Sequence, residues 1–312
     1  MGRWDIDDDA RSPDAGGSRQ PARTEPARVE REIQIRPLPD HVQDRDRDGD
    51  RRGRPHALTL PAGRDREWVR SDGRDYRVRG SEVDLLERAG RFRVVFTEDL
   101  RRDAGDDARF REDLRSLERQ DLLAERTVTR LRDGTVADVV SLTRAGQALL
   151  DHHRSADADV GQHYYSGWVK TAEVWHDASL FTMVRAAQQE LGADGDHIRR
   201  VILDDELKAL AFRALHEARE AGESDAAAHR TVANAEHLAL DGDHFVFPDV
   251  RLEIEAPDGT VRHLDLEWVT EHYHRGHLGG KASAGFRMFG GASSGRRGGT
   301  PHDPKLVGRL FR

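Results

Sequence analysis

The chain has 312 residues, 36% of them hydrophobic and 35% charged, with a formal net charge of −8 and no cysteine. This length allows two ordinary domains, but so low an apolar fraction implies that part of the chain does not fold. The lack of Cys excludes disulfides, thiolate nucleophiles and Cys-ligated zinc. No apolar run approaches the ~18 residues of a membrane span, and MGRWDIDDDA lacks the layout of a secretory signal, so a cytoplasmic protein with no membrane association is expected.

Residues 1–80 hold 18 Arg and no Lys against 17 Asp/Glu, with few apolar residues in series. We expect a disordered charged arm over 1–79, firmest to about residue 55. Within it Leu58, Leu60, Trp68, Val69, Tyr76 and Val78 are the residues able to order a short piece against the next domain.

Order is expected from Gly80. Ser81 suits a helix cap before Val83, Leu85, Leu86 and Ala89, and RVVF (93–96) reads as a brief extended piece. Thr97 then caps a second helix that Gly105 stops. A third helix from Asp106 carries Phe110, Leu114 and Leu117 at helical spacing. ERTVTRL and TVADVVSLT flank an Asp133-Gly134 turn, the signature of a hairpin, and Thr143 opens a closing helix. Three helices, a two-stranded wing and a closing helix make a winged helix-turn-helix over 80–155, and LTRAGQALL resembles the MarR and PadR kind of bacterial regulator. Arg111, Arg115 and Arg119 form a stripe opposite Phe110, Leu114 and Leu117, with Arg109 near the same end. In this layout they are candidate DNA contacts. Residues 81–155 carry 14 Arg against 16 acids, so affinity from phosphate contacts should be modest.

A polar link leads to a second domain expected over 160–290. Val174, Leu180, Val184, Ala187 and Leu191 predict an amphipathic helix ended by Gly192, with His176-Asp177 near its start as a structural pair. IRRVIL (198–203) reads as a strand and DDELKALAFRALHEARE as a helix. Residues 156–250 hold 8 Lys/Arg against 18 Asp/Glu, a balance of −10, whereas 271–312 hold 8 against 2, a balance of +6. The basic end permits nucleic-acid contact.

The richest stretch runs from Phe247 to Lys281. Val250–Ala256 alternates with period two, and Ala256-Pro257-Asp258-Gly259-Thr260 suits a hairpin loop that pairs Ala256 with Thr260. Counting outward, Leu252 faces Leu264 and Val250 faces Leu266. On the other face Arg251 meets Asp265 and Asp249 meets Glu267. Asp249, Asp265 and Glu267 therefore share one face, where opposed like charges are destabilising. Either that face is solvated, or it holds a divalent cation, Mg²⁺ with Mn²⁺ as substitute. HYHRGH (272–277) reads as a flexible loop able to touch a phosphate rather than as a zinc box. Lys281 opens AGFRMF, an expected helix docking Phe286 and Phe289, and 291–312 is a Gly-rich basic tail.

Pro-Asp, an acidic pair on the next strand and a following Lys resemble the PD-(D/E)XK nuclease superfamily. Its usual Glu-x-Lys triplet is here Asp265-Leu266-Glu267. Some members carry Glu in place of that Lys, and others move the Lys to the next helix. The whole pattern is similar to the replication-relaxation protein family of bacterial mobile elements over roughly residues 80–290. In that family a strand reading Glu-x-Asp-x-x-Thr follows the PD strand; Asp265 to Thr270 matches with the acids exchanged, Lys281 matches the later Lys, and His176 the His of the opening helix. The resemblance implies an α+β protein of plasmids or integrated elements, with a winged helix and a nuclease-like domain, that binds DNA. As an endonuclease, Asp249, Asp265 and Glu267 would hold Mg²⁺ and Lys281 would neutralise developing charge. The alternative is a catalytically inactive regulator of replication, transfer or transcription. Winged helices commonly dimerise, so a homodimer is a further expectation.

Overall fold

The computed structural model describes residues 58–154, 161–192, 195–269 and 280–290, and the backbone of a short strand β1 (Ile35–Pro37). The expected Gly-rich tail, the HYHRGH loop and most of the arm lie outside the described residues. Where it is described, the chain is α+β.

Residues 58–78 belong to the folded body, contrary to the expected disordered arm. Strands β2 (Glu67–Ser71) and β3 (Arg74–Val78) pair antiparallel across Asp72-Gly73, both at positive φ. Asp-Gly is a strong two-residue hairpin signal, which the sequence reading of this segment did not use. Leu58, Leu60, Tyr76 and Val78 are buried in the main core. The arm assignment also fails at β1, which adds to the edge of the large sheet.

Helix α1 (Gly80–Gly90) follows. The Glu82 carboxylate accepts from the Arg79 N–H at 3.0 Å, and this contact, rather than a Ser81 cap, holds the start of the helix. After β4 (Val95–Phe96), α2 (Thr97–Ala104) ends at Gly105, whose φ of 71° suits a glycine. Helix α3 (Asp107–Arg119) is capped by Asp106, which accepts from the Arg109 N–H at 3.0 Å. Strands β5 (Leu123–Thr129) and β6 (Val136–Leu142) form the expected hairpin, and β4 joins it in the order β4-β6-β5. Thr143 caps α4 (Arg144–His152).

Helix α5 (Val174–Gly192) and β7 (His197–Leu203) come next, then α6 (Asp204–Glu220), α7 (Asp225–Ala235) and the small hairpin β8 (Ala239–Asp241)–β9 (His244–Val246). Strands β10 (Val250–Glu255) and β11 (Val261–Val269) have the expected register, with Val250 opposite Leu266, Leu252 opposite Leu264 and Arg251 opposite Asp265. The Ala256 N–H donates to the Thr260 carbonyl at 2.9 Å, closing the turn.

Lys281 lies on a helical turn (280–283), but the expected helix goes no further. Gly285, at φ 84°, turns the chain into a strand, β12 (Arg287–Gly290), and Phe286 and Phe289 are buried from there. The sheet order is β1-β12-β11-β10-β7, with β7, β10 and β11 antiparallel and β12 parallel to β11. One apolar core joins this sheet and α5 to the amino-terminal helices, with the Phe92 and Phe181 rings edge-on at 5.3 Å. Burying two such rings is worth roughly 1.5–3 kcal/mol each. A second cluster between α6, α7 and Leu238 forms a small cap. No helix among the described residues is long and apolar enough to cross a membrane.

Candidate functional site

The apolar alternation of β10 and β11 turns Leu252, Ile254 and Leu266 into the core and leaves Asp249, Arg251, Asp265 and Glu267 on the opposite face. That face is not solvated. Glu267 and Arg251 are buried, and Asp249 and Asp265 are largely so. Each carboxylate must therefore have a partner.

Asp265 takes a bidentate ion pair from Arg251, Nε to Oδ1 at 2.7 Å and a terminal nitrogen to Oδ2 at 2.8 Å. The same guanidinium donates to the carbonyls of Glu236 and, at 2.8 Å, His237, pinning the end of α7 to the sheet. Asp265, expected as a metal ligand and catalytic residue, is thus part of an Arg clamp. The clamp was visible in the register, which sets Arg251 directly opposite.

Asp249 and Glu267 do come together. The Asp249 N–H points to Glu267 Oε2 at 3.3 Å, and Asp249 Oδ2 accepts from the Trp268 N–H at 2.7 Å. Lys281 reaches Glu267 Oε1 from the turn after β11. The sequence reading missed what holds Asp249 from the other side. His176 Nε2 lies 3.5 Å from Asp249 Oδ2, and its Nδ1 is 3.1 Å from Asp177 Oδ1. Arg93 then takes Asp177 Oδ2 at 3.3 Å and continues to Asp204 at 2.7 Å and Asp205 at 2.6 Å. Burial opposes charge on His176, but hydrogen bonds to Asp177 and Asp249 outweigh it and raise the pKa from 6.5 to about 10. The imidazole is therefore a cation at neutral pH.

Charge alternates along this chain of contacts from Arg93 through Asp177 and His176 to Asp249, and Glu267–Lys281 closes it. Among the described residues, no group of three His, Asp or Glu side chains is arranged to hold a metal ion. Of the three acids expected to hold a metal, Asp249 and Glu267 are the two that could share one. That donor set suits Mg²⁺, which is commonly bound through one or two carboxylates with water and phosphate completing its shell.

The second set of residues sits on α3. Arg111, Arg115 and Arg119 are exposed along the helix, while Arg109 is half-buried, with its Nε 3.4 Å from Ser81 Oγ. Two neighbouring acids turn away, Glu112 to Arg66 and Arg79 at 3.0 and 3.3 Å and Asp113 to Arg79, whereas Glu118 lines the groove with Arg111 and Arg115. Arg111 and Arg115 make no ion pair with a described residue, and Arg119 donates to the Arg115 carbonyl at 3.2 Å. Arg111 and Arg115 line an open groove with Thr97, Phe110 and Glu125 of β5.

Comparison of the chain with protein-family models, curated proteins and solved structures gave no match.

Proposed function

We propose that the chain is a DNA-binding protein in which a winged helix over 80–155 docks on duplex DNA through α3 and carries a PD-(D/E)XK nuclease-like domain of the replication-relaxation kind. The observation that carries this reading is the exposed stripe of Arg111, Arg115 and Arg119, two of whose flanking acids, Glu112 and Asp113, are committed to Arg66 and Arg79, while Glu118 stays beside it. The Arg111 and Arg115 guanidiniums, which make no ion pair with a described residue, are available to phosphates and to guanine edges. The order α1, β4, α2, α3, β5, β6, with β4 on the outer side of the hairpin, supports the winged helix. Helix α5 followed by the sheet β12-β11-β10-β7, with Lys281 on the segment after the acidic strand, supports the nuclease-like domain.

In the first form of this reading the protein is a regulator of a plasmid or mobile element. Each of the three acids on this face has an internal cation: Arg251 for Asp265, Lys281 for Glu267, and His176 for Asp249. A cluster balanced in this way is stable without a metal. The second form is a Mg²⁺-dependent endonuclease, favoured by Asp249, Glu267 and Lys281 meeting at one place. There Asp249 and Glu267 would hold the ion, which supplies Lewis-acid polarisation of a phosphate, and Lys281 would face the charge that develops.

Binding is tested by anisotropy with labelled duplex over a salt series. Arg111→Ala with Arg115→Ala should weaken binding and lower the salt slope by about 2. An unchanged slope would move the DNA contact elsewhere. Plasmid cleavage with Mg²⁺ or Mn²⁺, scored for the wild type and Glu267→Gln with binding in parallel, separates the two forms. Nicking lost in the variant with binding intact makes it an endonuclease, and binding with no nicking makes it a regulator.

A further inference from the structure

Strands β2 and β3 form a hairpin that precedes α1 and is separate from the β5–β6 wing. Its inner face carries Tyr76 and Val78, buried in the main core, with Val69 packed against it. Side chains alternate in direction along a strand, so Trp68 and Arg77, which stand opposite each other in the register, share the outer face. Trp68 is 71% exposed there. A single exposed apolar residue means little by itself. Its position and its neighbour give this one a direction.

Helix α3 lies between the two hairpins. On the wing side Arg111 and Arg115 line the groove with Glu125 of β5. On the other side Glu112 takes Arg66, directly before β2, and Gln120, at the end of α3, grips β3. The Gln120 Nε2 donates to the Arg77 carbonyl at 3.1 Å, and its Oε1 accepts from the Arg77 N–H at 2.7 Å. Trp68 therefore stands one strand spacing, about 4.8 Å, beyond the strand held by the residue that follows Arg119. The neighbour is a cation. The Arg77 guanidinium lies 6.0 Å over the indole, donates from Nε to the Arg66 carbonyl at 3.4 Å, and makes no ion pair with a described residue. Arg70, on the same face, is 3.8 Å from Asp75, so Arg77 supplies the uncompensated charge.

An open indole beside an unpaired guanidinium, both fixed on a braced hairpin, matches a nucleobase with its phosphate. The base stacks on the ring and the phosphate takes the cation. A duplex keeps its base faces inside the stack, so a base that reaches Trp68 must be unpaired.

We propose that Trp68 and Arg77 hold an unpaired base beside the duplex that α3 contacts, so that the ligand of this surface is a duplex running into a single strand. The proposal rests on the DNA-binding reading and adds the class of DNA.

The test is an anisotropy titration of the full chain with a blunt duplex and with the same duplex carrying a short oligothymidine overhang on one strand or the other. One of the overhangs should tighten wild-type binding about tenfold, the worth of one stacked base. Trp68→Ala removes a side chain outside the core, so it should bind the blunt duplex as the wild type does and lose that gain. Trp68→Phe should keep most of it. Equal wild-type affinity for blunt and overhung duplexes overturns the proposal, as does a gain that survives in Trp68→Ala. Weaker binding of Trp68→Ala to every DNA alike makes Trp68 a contact to the duplex and overturns it too. A wild-type dimer in sedimentation that Trp68→Ala dissolves gives the face to a second copy, with the same consequence. No binding of the wild type to any of these DNAs removes the DNA-binding reading itself, and the unpaired base with it.

Discussion

His176 offers the most direct check on the charge chain that holds Asp249. Replacing it with Gln keeps a polar side chain of similar reach and removes the cation between Asp177 and Asp249. An imidazole whose pKa rises from 6.5 in the unfolded chain to about 10 in the fold contributes, at about 1.4 kcal/mol per decade, at most about 5 kcal/mol. The side chain is a third exposed, and solvent screens its partners, so about 2 kcal/mol is the expected loss. The sign follows from proton linkage. Because the folded pKa lies above the unfolded one, the contribution is complete below pH 6.5, declines as pH rises from there and is gone above about 10. Urea unfolding of the wild type and His176→Gln between pH 6 and 10.5 measures it. Groups that titrate in both proteins cancel in the difference, which should be about 2 kcal/mol near pH 6 and close to zero at the upper end. A difference that stays flat over this range, or an imidazole seen by NMR to titrate near 6.5, would refute the argument.

Arg251→Met leaves Asp265 buried without its counter-ion and takes a donor from two carbonyls; a loss of about 3–5 kcal/mol in urea unfolding is expected, with part recovered by adding Asp265→Asn. Lys281→Met removes the cation from fully buried Glu267 and should destabilise by about 3 kcal/mol, and Lys281→Met with Glu267→Gln should be more stable than Lys281→Met alone. Gly146→Ala would place a Cβ 2.2 Å from the Leu122 carbonyl oxygen, a backbone atom that cannot easily give way. A loss of roughly 1–3 kcal/mol, read as a lowered Tm, is expected, and an unchanged Tm would mean that α4 shifts freely.

The parts of the fold that follow from local chemistry were legible. Gly105, Asp106, Thr143 and the Asp133-Gly134 turn each impose one backbone geometry on their neighbours, and the elements they bound lie where the pattern put them. The register of β10 and β11 followed from a single turn in the same way. What was not legible depends on contacts distant in sequence. Lys281-Ala-Ser-Ala scores as helix, yet parallel pairing to β11 captures Arg287–Gly290 as a strand, since pairing and burial of Met288 and Phe289 outweigh propensity. The site shows the same division. That Asp249, Glu267 and Lys281 lie together was legible because they are close in sequence. Arg93 was not, because it reaches Asp177 across 84 residues and no local pattern marks it. The structural reading of His176 stopped at its neighbour, Asp177, for the same reason.

The contacts that sequence could not supply are the ones that tie the two halves together. Arg93, next to β4, holds both Asp177 on α5 and Asp204 at the start of α6. Asp99 and Asp103 on α2 take Thr182 at 2.5 Å and Arg185 at 2.5 Å on α5. Arg126 and Arg130 of the hairpin stack on Trp168 and Trp175. Helix α5 therefore receives the α2 helix and the hairpin along one side and presents His176 to Asp249 at its first turn. A displacement of the hairpin by a ligand would act first on Trp175, one residue from that imidazole. The charge pattern sets what such a displacement can do. With His176 in place, Asp249 is already neutralised, and a divalent cation at Asp249 and Glu267 must compete with two resident cations, His176 and Lys281. Moving His176 away leaves Asp249 without its cation while Lys281 stays on Glu267, and an uncompensated carboxylate attracts a cation strongly in a poorly hydrated site.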